Sequence, residues 1–225
     1  MDKSPIHVTH FSDVLCIWAY VSQVRIDELK SQFGAQVDVD YRLFPVFGSA
    51  LRKLDSEWAS RRGRQGYNEH AHQIVQQFGH VKLHPEVWMR DAPHSSLPSH
   101  LFLYGVRLAE TNGVLPPGSF AQMAWQIREA FFARNLNVSR QAVLRALASD
   151  AGLDPEKIEP GLKSGEAHAL LSADMQAARD QMVRSSPTLI FNEDRQRLSG
   201  NVGYRIIEAN VRELIERPQG QQSWC

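Results

Sequence analysis

The chain is predicted to form an α/β fold in which a β-α-β unit and a β-β-α unit share one sheet and are separated by an all-helical insertion. Strand-like segments lie near both ends of the 225-residue chain, and amphipathic segments with helical spacing fill the region between them. Each strand-like region is also followed by a helix-like segment. Strands joined by a helical crossover pair in parallel, which predicts a parallel β-α-β unit as the first half of the sheet.

The composition is that of an ordinary globular protein. With 43% hydrophobic residues the chain can bury a core, and its length suits one large domain or one domain with an insertion. Lys plus Arg and Asp plus Glu both total 25, so no global field favours nucleic acid or an anionic membrane as a partner. Residues 1–5 lack an apolar signal segment and no run is long enough to span a bilayer, so a cytoplasmic location is expected.

The first strand and helix meet at a cysteine. Residues 6–11 have the pattern of a short strand, and a helix is predicted from residue 17 to Phe33, ended by Gly34. Cys16 therefore lies at a helix N-terminus. Unpaired backbone N–H groups and the helix dipole favour a thiolate there, so the sequence predicts a reactive cysteine with stabilised negative charge.

The second strand is predicted by alternation. Residues 36–44 alternate between apolar and polar side chains, which is typical of a strand with one buried face. Together with the preceding strand and helix, they predict a right-handed parallel unit.

The region after this unit is predicted to be helical. A helix over residues 67–78 lies in a stretch with five histidines, which are interpreted as surface residues because His70 and His72 lack the i, i+4 spacing of a helical metal site. No metal site is predicted. Apolar stripes predict further helices beginning near Leu97 and Phe120, and Ser139 is the predicted N-cap of the next. The last helical region is expected to break near residues 160–161 and to resume from 164 to 183.

The C-terminal part returns to strands. Residues 188–191 and 196–199 flank a polar turn and predict a hairpin, and residues 203–216 form the last predicted helix. The predicted domains are therefore residues 1–44 with 185–225, which carry the sheet, and residues 45–184, which form the helical insertion.

Several short motifs, taken in order, resemble one protein family. They are Asp13-Val14-Leu15-Cys16-Ile17-Trp18, Ser95-Ser96-Leu97-Pro98-Ser99-His100, Leu162-Lys163-Ser164-Gly165-Glu166, Ser186-Pro187-Thr188 and Ser199-Gly200-Asn201. This series resembles the DsbA-like branch of the thioredoxin fold. The branch includes disulfide oxidoreductases and isomerases, kappa-class glutathione transferases and 2-hydroxychromene-2-carboxylate isomerases. Its redox members usually have Cys-Pro-Trp-Cys where this chain has Cys16-Ile17-Trp18-Ala19, so the second cysteine is absent.

The resemblance implies a site around Cys16. In such proteins the proline before the hairpin is cis and the backbone of its neighbour faces the cysteine; here these are Pro187 and Ser186. Cys16 is the predicted nucleophile, and Trp18 shapes the approach to it. The predicted binding residues for a thiol partner or glutathione are Ser186, Pro187, Thr188, Gly200, Asn201 and His100. Gly200 and Asn201 are expected to open the last helix and to hold a carboxylate through its N-terminus. His10 is expected either to touch Cys16 or to face water.

The missing second cysteine restricts the chemistry. An enzyme with one active-site thiol can form a mixed disulfide, but an external thiol must release it. The leading hypothesis is therefore a DsbA-like thiol-disulfide oxidoreductase or isomerase that uses a single cysteine, with glutathione as co-substrate and no tightly bound cofactor. Cys225 is interpreted as an exposed end, and a resolving role for it stays open.

Two alternatives follow from the same residues. The first is a glutathione-dependent isomerase or transferase acting on a small aromatic substrate, with Cys16 in the place where related families use serine. The second is a redox-inactive thioredoxin-fold protein that binds a partner protein. The sequence leaves the oligomeric state open, a homodimer included.

Overall fold

A computed structural model describes residues 4–218 of the chain. The strands are β1 (Ile6–Ser12), β2 (Val37–Leu43), β3 (Thr188–Phe191) and β4 (Gln196–Ser199). The helices are α1 (Ile17–Phe33), α2 (Ala50–Arg52), α3 (Gly63–Val75), α4 (Leu97–Thr111), α5 (Ser119–Phe132), α6 (Gln141–Asp150), α7 (Pro155–Lys163), α8 (Glu166–Asp180) and α9 (Tyr204–Glu216). Short irregular helical turns, Lys53–Glu57 and Ala59–Arg61, connect α2 to α3.

The four strands form one mixed sheet in the order β2-β1-β3-β4. β1 pairs in parallel with β2, with Ile6 opposite Val37, and antiparallel with β3, with Val8 opposite Phe191. β3 and β4 form an antiparallel hairpin. The sheet therefore joins the two ends of the described chain and confirms the predicted thioredoxin-like β-α-β and β-β-α fold.

Both faces of the sheet are covered by helices. On one face Val8 and Phe191 pack with apolar residues of α1 and α9, among them Leu29 and Val211. On the other face Phe11 and Ile190 pack against Ala178 near the end of α8 and the following Val183. Alternate residues of β1 thus serve different cores, as the two-residue period of a strand requires.

The helices between β2 and β3 form the largest core cluster of the described residues, and the N-terminal half of α1 belongs to it. α4 and α7 approach closely at Gly105, where an added Cβ would lie 2.8 Å from Cγ2 of Ile158. Because Cys16 and Tyr20 also pack into this cluster, the start of α1 lies between the helical part and the sheet. The domain boundaries remain a prediction.

The structure corrects three predicted helix boundaries. α3 runs over Gly63–Val75, where the sequence predicted a helix over residues 67–78. α7 continues through Pro160, and the break before α8 falls at Gly165, whose φ of 86° is open to glycine at no steric cost. Ser139 is not the N-cap of α6, because the helix begins two residues later and the Ser139 hydroxyl donates to Asn137 Oδ1 at 2.6 Å.

Candidate active site

Cys16 is positioned by a tight turn between β1 and α1. Its N–H donates to the Asp13 carbonyl oxygen at 3.1 Å, and its own carbonyl accepts the first helical hydrogen bond from Tyr20 at 3.1 Å. Its φ of −84° and ψ of 119° are those of a helix N-cap residue. The sequence prediction that Cys16 stands at the helix N-terminus agrees with this geometry.

The thiol faces the segment before β3. Cys16 is 5% exposed, and its Sγ donates to the Ser186 carbonyl oxygen at 3.1 Å. The Ser186–Pro187 peptide bond is cis. The Asp13 N–H donates to Ser186 Oγ at 2.9 Å, so the cysteine turn and the proline segment are linked through both side chain and backbone of one serine.

The prediction that the helix N-terminus stabilises a Cys16 thiolate is wrong for the resting protein. Burial raises the pKa of the Cys16 thiol above its ordinary value. The Ser186 side chain and the N–H groups of Ala19 and Trp18 lower the pKa, as a helix N-terminus should, while the charge of Asp13 raises it further. The sequence could indicate the helix N-terminus, but the loss of water around the sulfur has the larger effect.

Asp13 is a buried carboxylate at the centre of the turn. Oδ1 accepts from the Leu15 N–H at 2.8 Å. Oδ2 accepts from the Phe47 N–H at 2.7 Å and from Ser96 Oγ at 2.9 Å. Burial opposes its charge, but the charge and hydrogen bond of His100 and these N–H groups hold the pKa of Asp13 below its ordinary value. Asp13 therefore ties the cysteine turn to the segments before α2 and α4.

His100 lies against Asp13. It is fully buried on α4, and its Nε2 is 3.5 Å from Asp13 Oδ1. The Val14 N–H also points at Nε2, at 3.4 Å. Nε2 cannot donate to the carboxylate and accept from Val14 at once. We assign a proton to Nε2 that it donates to the Asp13 carboxylate, because hydrogen bonds to an ionised group are the stronger ones. His100 thus supports the turn that holds Cys16.

Two of the remaining predicted site residues, Thr188 and Gly200, lie beside the proline segment. Trp18 is half-buried and packs against the large helical core. Thr188 is buried, and its hydroxyl donates to the Ser185 carbonyl at 2.8 Å. The Gly200 N–H donates to the Pro187 carbonyl at 2.8 Å, which places the end of the hairpin beside the cis-proline.

Gly200 and Asn201 do not open the last helix. α9 begins at Tyr204 with Gly203 as its N-cap, because the chain first turns at Gly200, whose φ is 80°. Asn201 is exposed and accepts a hydrogen bond from Arg25 Nη1 at 2.5 Å. A carboxylate held by these two residues would therefore contact a turn, and the N–H groups of α9 lie further along the chain.

His10 neither faces water nor forms a hydrogen bond in the described structure. It is 1% exposed, and its ring meets Tyr41 edge-on with 5.6 Å between ring centroids. Both ring nitrogens lack a partner among the described residues. Burial and the nearby charge of Arg128 lower the pKa of His10 from 6.5 to about 3, so the ring is neutral near pH 7.

Two buried charged residues near Cys16 were missed by sequence reasoning. Asp13 lies in the motif of the cysteine turn, and an aspartate three residues before a cysteine is a signal that could have indicated its role. Arg128 lies on α5 beside the apolar stripe residue Ile127, where a periodicity analysis gives a charged residue no role. Cys225 lies outside the described residues.

Neither a metal cluster nor a membrane-spanning helix is found among the described residues. No group of three His, Cys, Asp or Glu residues within 4–218 could hold a metal ion. None of the described helices is both long and apolar enough to cross a membrane.

The fold and site define a thioredoxin-fold protein with a buried cysteine opposite a cis-proline. The model of the DSBA-like thioredoxin domain matches residues 7–211, and the chain belongs to this family. The predicted resemblance to DsbA-like oxidoreductases and isomerases is thereby confirmed.

Solved structures share the fold. A putative protein disulfide isomerase from Nitrosomonas europaea has a TM-score of 0.75 at 17% identity, covering 95% of this chain and 98% of that one. The cytosolic disulfide reductase DsbM from Pseudomonas aeruginosa, solved with GSH, has a TM-score of 0.66 at 18% identity, covering 92% and 99%. A 2-hydroxychromene-2-carboxylate isomerase has a TM-score of 0.66 at 15% identity, covering 96% and 100%.

The curated relatives are named as adapter proteins, unlike these solved structures, which are named as a disulfide reductase or as isomerases. The ClpXP adapter protein SpxH of Halalkalibacterium halodurans is 24% identical over 95% of this chain and 69% of its own length. SpxH of Shouchella clausii is 24% identical over 88% of this chain and 61% of its own length. The chain thus spans about two thirds of the length of these relatives.

Proposed function

We propose that the protein is a thiol-disulfide oxidoreductase or isomerase that acts through Cys16 alone and uses glutathione as co-substrate. The observation that carries this proposal is the contact between Cys16 Sγ and the Ser186 carbonyl, 3.1 Å apart, beside the cis-proline Pro187. An extended substrate that pairs with the backbone of this segment brings its disulfide next to the sulfur.

The proposed reaction has two exchange steps. Cys16 loses its proton, and its thiolate attacks one sulfur of a substrate disulfide. The S–S bond breaks, a mixed disulfide with Cys16 forms, and the other substrate sulfur leaves as a thiolate that takes up a proton. A glutathione thiolate then attacks the substrate sulfur of the mixed disulfide: the bond to Cys16 Sγ breaks, a disulfide between glutathione and that substrate sulfur forms, and Cys16 leaves as a thiolate that takes up a proton. Ala19 stands where a second cysteine would act, so the external thiol completes the cycle.

The surrounding residues hold the partners in this proposal. Trp18 borders the approach to the sulfur, and the backbone of Ser186, Pro187 and Thr188 binds the substrate or glutathione. Gly200 and Asn201, at the turn beside the cis-proline, bind glutathione. His100 acts through Asp13 by keeping the cysteine turn in place.

Glutathione and a cytoplasmic location belong to the same proposal. The DsbM structure supports both, since it is named as cytosolic and contains GSH. Glutathione enters as a co-substrate without tight binding, and protein thiols or disulfides are the other substrates. A homodimer is compatible with this chemistry.

The test substrate is a peptide whose cysteine is joined to glutathione in a mixed disulfide. Free glutathione is the reductant. The full-length protein is compared with Cys16→Ser, and Cys225→Ser is the matched control because it removes the only other cysteine. Reduction should fall to the uncatalysed rate in Cys16→Ser and persist in Cys225→Ser. Equal activity of Cys16→Ser and the wild type would refute the proposal.

A second candidate is a glutathione-dependent isomerase or transferase for a small aromatic substrate. It is supported by the likeness in fold to a 2-hydroxychromene-2-carboxylate isomerase and by the raised pKa of Cys16, which favours a neutral thiol that can donate a hydrogen bond to a glutathione thiolate. In that case Cys16→Ser should still turn over an aromatic hydroxy acid with glutathione. Loss of that turnover in Cys16→Ser excludes this candidate.

A third candidate is a binding protein without redox activity. The name ClpXP adapter of the SpxH relatives supports it, as does the low exposure of Cys16. Purified ClpX is the probe: specific binding that Cys16→Ser leaves unchanged, together with no thiol transfer by the wild type, identifies an adapter. Thiol transfer without binding to ClpX excludes it.

A further inference from the structure

Arg128 is a buried cation without an acidic partner in the described structure. The residue is 2% exposed. Its Nη2 donates to Ser12 Oγ at 2.9 Å and its Nη1 to Gln23 Oε1 at 2.8 Å, and both acceptors are neutral. Its Nε has no hydrogen-bond partner among residues 4–218, and no carboxylate in that range lies within ion-pair distance. A buried charge left in this state is costly to fold, so its presence at this position calls for a physical explanation.

The hydrogen bonds place the guanidinium next to the cysteine turn. Ser12 is the last residue of β1, and Gln23 lies in the second turn of α1. Cys16 lies in the chain between these two residues. Arg128 therefore connects the helical insertion to the strand and the helix that hold the thiol.

Few ionisable groups share this interior. Burial lowers the pKa of Arg128, while the potential negative charges of Tyr41, Cys16, Asp13 and Asp27 raise it. Tyr41 on β2 is kept neutral by burial, which raises its pKa. His10 on β1 is neutral as well, and the carboxylate of Asp13 is already held by His100 and three other donors.

Asp27 lies further along α1 and accepts a hydrogen bond from Gln23 Nε2 at 2.9 Å. It makes no ion pair with Arg128 within the described residues. Among the groups that act on Arg128, Cys16 is the one whose charge changes during thiol-disulfide exchange. The Cys16 thiolate that the reaction produces is therefore a negative charge that the guanidinium can balance.

We propose that Arg128 is a positioning residue that acts through Cys16: its buried guanidinium is the counter-charge of the Cys16 thiolate each time that thiolate forms or leaves. The inference rests on the proposed function, in which Cys16 cycles between thiol, mixed disulfide and thiolate. It assigns to the helical insertion a direct electrostatic effect on the reacting sulfur.

If the role of Arg128 were purely structural, its replacement would lower the pKa of Cys16, whereas loss of a counter-charge would raise it. Burial is the largest cause of the raised pKa of Cys16, so loosening of the structure exposes the sulfur and lowers that pKa. Removal of a cation from an intact interior raises it further. The direction of the change in thiol reactivity therefore separates the two explanations.

The experiment measures the alkylation rate of Cys16 by iodoacetamide against pH in a Cys225→Ser background. Arg128→Gln removes the charge, and Arg128→Lys retains it. Arg134→Gln is the matched control, because it removes one positive charge from an exposed position just after α5. Arg128→Met, which keeps the apolar bulk of the side chain, replaces the glutamine variant if that one does not fold.

At a pH where the thiol is mostly protonated, Arg128→Gln should alkylate about tenfold more slowly than the wild type, which corresponds to about one unit of pKa. Arg128→Lys should stay near the wild-type rate, as should Arg134→Gln. An unchanged or faster rate in the folded Arg128→Gln or Arg128→Met variant would overturn the inference. This readout requires no disulfide substrate, so it is independent of the Cys16→Ser test of the proposed function.

Discussion

The buried histidine of β1 makes the stability of the protein depend on pH. Burial and the charge of Arg128 lower the pKa of His10 from 6.5 to about 3 in the folded protein. A group whose pKa is lower in the folded than in the unfolded state contributes stability above the unfolded pKa. That stability is lost as the pH falls from about 6.5 towards about 3, because the unfolded chain binds a proton that the folded protein excludes.

The size of the loss follows from the two pKa values. A pH of about 5 lies about 1.5 units below the pKa of the unfolded histidine, which is then protonated, while the folded histidine is still neutral. This difference corresponds to about 2 kcal/mol. The wild type should therefore lose about 2 kcal/mol more between about pH 7.5 and pH 5 than His10→Gln. Urea unfolding followed by circular dichroism at both pH values measures this difference.

A control variant separates His10 from the exposed histidine of the same strand. His7→Gln changes another histidine of the same strand, whose side chain is 44% exposed. All three proteins share the remaining titratable groups, so their contributions cancel in the comparison. Equal losses of stability in the wild type and in His10→Gln would refute the assignment of a neutral buried imidazole.

Three further predictions concern the site and its support. In the wild type, alkylation of Cys16 should be slower at neutral pH than that of an exposed thiol, because burial favours the protonated sulfur. The alkylation rate should rise only above the ordinary thiol pKa, which a pH-rate profile measures. A thiol half-ionised near neutral pH would contradict this prediction. Asp13→Ala should cost about 3–5 kcal/mol in urea unfolding, since it leaves several buried donors without an acceptor; a cost below about 1 kcal/mol would show that water replaces the carboxylate. Gly105→Ala should cost about 1–3 kcal/mol because its Cβ meets Ile158, whereas a neutral or stabilising effect would show that α4 and α7 can separate freely.

The local patterns of the sequence predicted most of the regular structure. Alternation over residues 36–44 corresponds to β2 at Val37–Leu43, and the apolar stripe that begins near Phe120 corresponds to α5. The irregular turns between α2 and α3 were not predicted. Turns of three to five residues are too short for an apolar period to show in the sequence.

The site was predicted in part. The position of Cys16 at the start of α1 followed from the local pattern, and its opposition to Ser186 followed from the family resemblance. The anchoring of Asp13 by Phe47 and Ser96 did not, because these partners come from distant parts of the chain and carry no local signal.

The sequence by itself determined the order of the elements, the position of the only cysteine among the described residues and the absence of a second cysteine at position 19. These properties depend on neighbours along the chain, which patterns of two and 3.6 residues record. Only the tertiary structure decided the protonation of the site. Burial of Cys16 raises its pKa against the effect of the helix N-terminus, and Arg128 arrives from the helical insertion as a cation without a carboxylate partner in residues 4–218. Desolvation and charge act through space, so the ionisation of the sulfur depends on residues that the sequence does not place beside it.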